Sequence, residues 1–95
     1  LYVEASIPDE YYLNSNFPNP FNSTTKISFG ILEDGIVNIS VYNVSGRLIQ
    51  TLMDDEMSAG HHQIAWEADG LPAGLYMLKI QAGSFTTQQK AILVK

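Results

Sequence analysis

Apolar and polar residues alternate with a period of two through most of this chain. Between Lys26 and Ile31, Ile27, Phe29 and Ile31 fall on one face and Lys26, Ser28 and Gly30 on the other. That period belongs to a strand with one side buried. It returns with Val37, Ile39 and Val41 against Asn38, Ser40 and Tyr42, and with His62, Ile64 and Trp66 against His61, Gln63 and Ala65. Tyr76, Leu78 and Ile80 alternate in a later strand, Arg47 to Met53 predicts a strand apolar on both faces, and Phe85 to Val94 closes the chain. Turn chemistry separates the strands: Glu33-Asp34-Gly35, Asn43 to Gly46, Met57 to Gly60, the Gly/Pro-containing Ala68 to Gly74, and the tight hairpin Ala82-Gly83-Ser84. Leu1 to Tyr12 is irregular and broken by Pro8-Asp9-Glu10, so residues 1–12 are expected to be a linker or the edge of a preceding domain, and 13–95 the domain itself. The nearest approach to a helix, Ser45 to Met53, is too short and too rich in Ile, Leu and Thr. Six or seven short strands at this spacing predict an all-β fold, an antiparallel β-sandwich of about seven short strands. Its expected core is Ile27, Phe29, Val37, Ile39, Val41, Ile64, Trp66, Tyr76, Leu78 and Ile80.

Composition narrows the function classes. Ninety-five residues make one small domain with a single core. Five basic against ten acidic residues leave a net charge of −5 and no basic patch, so nucleic acid is not an expected partner. No apolar run is long enough for a membrane-spanning segment. There is no Cys, which removes disulfides, thiolate metal sites and Cys nucleophiles. The chain does not begin with Met and is read as part of a longer protein.

The reactive side chains form no familiar constellation. His61 and His62 are adjacent, so on a strand they point to opposite faces and cannot jointly hold one metal. Asp54-Asp55-Glu56 lacks the alternating carboxylates, Gly and distal Glu of a calcium loop, and is expected to be a solvated turn. There is no Gly-x-Ser-x-Gly elbow, Walker loop or zinc signature. No enzyme activity, cofactor or metal is therefore expected. Exposed aromatics would support a carbohydrate-binding or adhesion module, but Trp66 and Tyr76 share faces with Ile64, Leu78 and Ile80, which leaves Tyr42 and the pair Tyr11-Tyr12 as a thin platform. A structural spacer is the third alternative. The Asn-x-Ser/Thr sequons at Asn22, Asn38 and Asn43 are read as coincidental.

Two segments stand apart. Asn16-Phe17-Pro18-Asn19-Pro20-Phe21-Asn22 concentrates turn formers: each Pro fixes its own φ and pushes the preceding residue out of the helical region, and Asn side chains bond nearby backbone. Phe17 and Phe21 can anchor such a rigid segment to the sandwich edge. At the other end, Lys90-Ala91-Ile92-Leu93-Val94-Lys95 is an apolar strand bounded by lysines. Such a strand is either central to the sandwich or an edge that a partner could complete by strand addition.

These segments resemble the type A C-terminal sorting domain of the type IX secretion system. The run Pro8 to Asn22 is similar to that family's opening. Ile27-Ser28-Phe29, Val41 to Arg47, Ala59 to Trp66, Leu71 to Tyr76 and Lys90 to Lys95 follow in the family's order. Ser15 stands where Gln is common, Ser23 where a third Pro is common, and Ile31-Leu32 where Leu-Pro is usual. The resemblance, which shades into the Ig-like domain of flagellar hook-capping proteins, implies an Ig-like sandwich and a non-catalytic signal. Such a signal directs an upstream cargo domain through the type IX outer-membrane translocon, with sortase-like components, to the surface of a Gram-negative bacterium or the medium. The sorting-motif residues it implies are Asn16, Pro18, Asn19, Pro20, Phe21, Asn22, Gly74, Tyr76, Lys90, Ile92, Leu93, Val94 and Lys95.

Overall fold

The computed structural model describes residues 10–94; Leu1 to Asp9 and Lys95 lie outside the described residues. Among the described residues seven strands follow in order: β1 (Tyr12–Leu13), β2 (Thr24–Ile31), β3 (Gly35–Asn43), β4 (Leu48–Met57), β5 (Gly60–Glu67), β6 (Gly74–Ala82) and β7 (Phe85–Leu93). They form a three-stranded sheet, β1-β2-β5, and a four-stranded sheet, β4-β3-β6-β7, with every strand pair antiparallel. This is the expected all-β sandwich. It differs from the constant-type immunoglobulin order, where the fourth strand lies beside the fifth, because here β4 lies beside β3.

The alternating residues meet between the sheets. Ile27, Phe29, Val37, Ile39, Val41, Trp66, Tyr76, Leu78 and Ile80 are buried as expected, while Ile64 is only half-buried. Phe21, Ala91 and Leu93 join Trp66, Tyr76 and Leu78 in one core cluster, and Phe29, Ile31, Val37, Ile39 and Ile80 form a second toward the other end. Trp66 is completely buried, with its ring 5.0 Å from Phe21 and edge-on to Tyr76 at 5.7 Å. An exposed aromatic platform built on Trp66 is thereby removed.

Asp54-Asp55-Glu56 is a strand segment and not the expected turn: it pairs with Asn38, Val37 and Ile36 in β4, which runs on to Met57. Carboxylates are poor strand formers, but β4 is a sheet edge where charged side chains stay in water and deter further pairing. The expectation that this strand is apolar on both faces also fails, because Leu48, Gln50 and Thr51 are exposed.

The segment before β2 connects the two sheets. Tyr12 and Leu13 pair with Gly30 and Phe29, and Phe17 exchanges backbone hydrogen bonds with Lys26 at 3.0 and 2.9 Å. The Tyr12 ring lies across Gly30, where a Cβ would collide with it. Tyr11 stacks on Phe85 with ring centroids 5.2 Å apart. After Phe17 the chain leaves β2, crosses at Pro18-Asn19-Pro20, and makes a parallel bridge from Phe21 to Leu93 of β7.

Candidate functional site: the cluster on the edge of the last strand

The crossing begins at a small polar knot. Asn16 is 2% exposed and Thr25 1%. The Asn16 amide donates to Pro18 O at 3.2 Å and to Thr25 Oγ1 at 3.1 Å, and the Thr25 hydroxyl donates to the same Pro18 carbonyl at 2.7 Å. Burying these groups is tolerable because they bond one another, although Asn16 Oδ1 has no hydrogen-bond partner among the described residues. The knot fixes where Pro18 turns the chain away from β2.

Beyond the knot, the cluster lies along β7. The Asn19 side chain behaves as a fragment of a strand: its Nδ2 donates to Lys90 O at 3.2 Å and its Oδ1 accepts from the Ile92 N–H at 3.0 Å. Phe21 continues the pattern with its backbone. Its N–H donates to Ile92 O at 2.9 Å, and its carbonyl accepts from the Val94 N–H at 2.8 Å. β7 stands at the edge of its sheet, so these are groups that would otherwise face solvent. In an antiparallel strand every second residue points both backbone groups away from its neighbour. On β7 those residues are Thr86, Gln88, Lys90 and Ile92. The cluster therefore covers the edge from the Lys90 carbonyl to the Val94 amide and leaves it open at Thr86 and Gln88. The last strand is neither central nor a bare edge.

The other residues implied by the resemblance gather at the same end of the sandwich. Gly74 and Tyr76 open β6 opposite Leu93 and Ala91. Gly74 has φ +154°, a conformation open to glycine and rare for other residues. The Tyr76 hydroxyl donates to Pro72 O at 2.6 Å, tying β6 to the chain just before it in the manner of a tyrosine corner. Leu93 is buried, whereas Lys90, Ile92 and Val94 turn their side chains to solvent. Pro18, Asn19 and Pro20 are exposed. Asn22 is exposed too, beside a shallow depression of about 250 Å³ that it lines with Ala68, Asp69 and Val94. Lys95 lies outside the described residues.

Ser23, which the resemblance sets where a third Pro is common, has φ +71°. A proline ring, locked near −65°, cannot adopt it. The departure is thus built into the backbone, and the Ser23 carbonyl accepts from the Ala68 N–H at 2.6 Å. Sequence reasoning missed two residues of this region. Thr25 looks like any strand-edge threonine, and only the fold reveals its buried hydroxyl. Leu75 could have been found: it alternates with Tyr76, so it must face outward, and it lies across from Ile92.

Reactive side chains do not converge. His61 is exposed, with Nδ1 2.6 Å from the Tyr12 hydroxyl, and His62 is half-buried on Phe29 with ring centroids 5.5 Å apart. Among the described residues no three His, Cys, Asp or Glu come close enough to hold a metal, and no helix is long and apolar enough to cross a membrane.

A family model described as the secretion system C-terminal sorting domain matches residues 15–95, a span that includes both the cluster and the strand it covers. No curated protein matches the chain significantly. Domains of this family are non-catalytic, and the chain that bears one carries a cargo to the cell surface or medium by the type IX system. The chain belongs to the secretion system C-terminal sorting domain family, and its task is that of a C-terminal sorting signal for type IX secretion.

Proposed function

We propose that residues 13–95 are the unit read by the type IX translocon and by sortase-like components, with residues 1–12 as the connector to a cargo domain upstream. The host is a Gram-negative bacterium, and the route runs through the periplasm. The domain performs no catalysis of its own; it is bound as a folded object. The sorting residues are Asn16, Pro18, Asn19, Pro20, Phe21 and Asn22 of the cluster, the β6 opening at Gly74 and Tyr76, and the terminal run Lys90, Ile92, Leu93, Val94 and Lys95. The observation that supports this reading most is the bonding of Asn19 and Phe21 to Lys90, Ile92 and Val94, which joins residues some seventy positions apart into one surface.

The division of labour within that surface follows from burial. Asn16, Phe21, Tyr76 and Leu93 act by holding the shape, because their side chains are buried. Pro18, Asn19, Lys90, Ile92 and Val94 present it. The test is to fuse the 95-residue chain behind a periplasmic reporter in a host with type IX secretion. The reporter is expected at the surface or in the medium, and deletion of Ala91 to Lys95 is expected to hold it in the periplasm. A well-folded intact fusion that stays in the periplasm contradicts the reading. Normal export of the deletion variant places the signal elsewhere in the domain.

A further inference from the structure

The outward face of the four-stranded sheet changes character along its length. Strand register places its outward side chains in rows. Farthest from the cluster, Ile36 pairs with Glu56; then Asn38, Gln81 and Thr86 form one row, and Lys79 and Gln88 belong to the next. Tyr42, Met77 and Lys90 follow, and Leu75 with Ile92 forms the last row, beside the cluster. A sheet with one face on the core ordinarily turns polar residues outward. At the far end Ile36, 58% exposed, is the exception and stands beside Glu56; the Asn38 and Lys79 rows obey the rule, and the last two rows depart from it together. Ile92 is 41% exposed and Leu75 36%, while Val44, in the turn after β3, is 74% exposed. Contiguous exposed apolar surface of this kind marks contact with another molecule.

Charge and shape add to this. Two shallow depressions lie at the apolar end, about 360 Å³ beside Tyr42, Met77 and Lys79 and about 290 Å³ beside Ile49, Leu71 and Leu75, and both border on Val44. No Asp or Glu lines either depression, although the chain has ten acidic residues against five basic. The charges on the outward rows of β6 and β7 are those of Lys79 and Lys90. Strand addition beside Ile92 is already blocked, because Asn19 and Phe21 occupy the backbone groups it would use.

We infer that the apolar end of this face, centred on Leu75, Met77 and Ile92, docks side chain to side chain on a protein of the export machinery, and that this partner presents an apolar patch bordered by carboxylates opposite Lys79 and Lys90. The inference rests on the sorting reading and deepens it. It gives β7 a role as a displayed face, with its edge closed off beside Ile92.

The test uses the full chain behind the periplasmic reporter, with export scored as the ratio of external to periplasmic reporter and each variant checked by thermal melting. Leu75→Glu with Ile92→Glu should lower export at least about tenfold, the loss expected when an interface anchor is removed. The gentler pair Leu75→Gln and Ile92→Thr should lower it less, and keeps the test open if the first pair misfolds. Lys79→Glu with Lys90→Glu should lower export, and the Gln versions should do so less. Thr86→Pro removes an outward N–H from the open edge without breaking a β6–β7 bond and lies outside both depressions, so export should be unchanged. If the unmodified fusion stays in the periplasm, the sorting reading fails and the docking face with it. If the unmodified fusion is exported and all of the Leu75/Ile92 variants are exported equally well, the docking face alone is overturned. Loss of export in folded Thr86→Pro shows edge pairing in its place, and normal export of the charge-reversed variant overturns the carboxylate-bordered partner.

Discussion

The two edges of the four-stranded sheet solve the same problem in opposite ways. β4 keeps its edge bare and carries Asp54, Asp55 and Glu56 there, so a second strand that approached would have to desolvate or oppose three carboxylates. β7 carries Ile92 and is followed by Val94, which offer no such repulsion, and this part of its edge is covered by the chain's own Asn19 and Phe21. The contrast shows that the apolar character of the last strand is kept where charge would have been the simpler protection. A strand covered at its edge can display apolar side chains on its face without inviting backbone pairing. That separation is what the proposed docking face requires of β7.

Removing the covers from the largest contribution downward tests this contrast. Phe21→Ala deletes a side chain that is 1% exposed and packed on Trp66, and should cost about 3–5 kcal/mol in chemical denaturation. If the loss is under about 1 kcal/mol, as for an exposed site, Phe21 does not anchor the cover. Asn19→Ala removes two solvent-exposed hydrogen bonds, and should cost about 1–2 kcal/mol while leaving the rest of the sandwich folded. It should also raise self-association in sedimentation, because it bares the Ile92 amide. On β4, neutralising Asp54, Asp55 and Glu56 to Asn, Asn and Gln should change monomer stability by no more than about 0.5 kcal/mol. Its effect should appear instead as concentration-dependent association. A monomeric neutralised variant at high concentration would show that charge is not what guards β4.

Much of the sandwich could be read from period two alone. Ile27 and Phe29, Val37 to Val41, and Tyr76 to Ile80 sit on the core because alternation with one buried side leaves them nowhere else to go. The same rule was silent about Asp54 to Glu56, since composition cannot tell a charged turn from a charged edge strand; pairing with β3 decided it. Ile64 shares a face with Trp66 yet is half-buried, packed against the margins of both core clusters, a difference that period two does not foretell. For the candidate site, the sequence showed two unusual segments and the turn chemistry of one. It did not show that they bond each other. Asn19 is read as a turn former, and only the tertiary path after Phe17 brings its amide to Lys90 and Ile92. Nor could Thr25 be singled out, because its burial depends on Asn16 folding inward against it.

Amide hydrogen exchange in the folded 95-residue chain tests the covered edge most directly. The amides of Ile92 and Val94 bond to Asn19 Oδ1 and the Phe21 carbonyl, whereas those of Thr86 and Gln88 face outward on the open part of the same strand. All four point away from β6, so strand pairing protects none of them. Ile92 and Val94 should exchange far more slowly than Thr86 and Gln88, and Asn19→Ala should speed up Ile92 more than Val94. Equal, fast exchange at all four positions in the unmodified chain would show that the cluster does not cover the last strand.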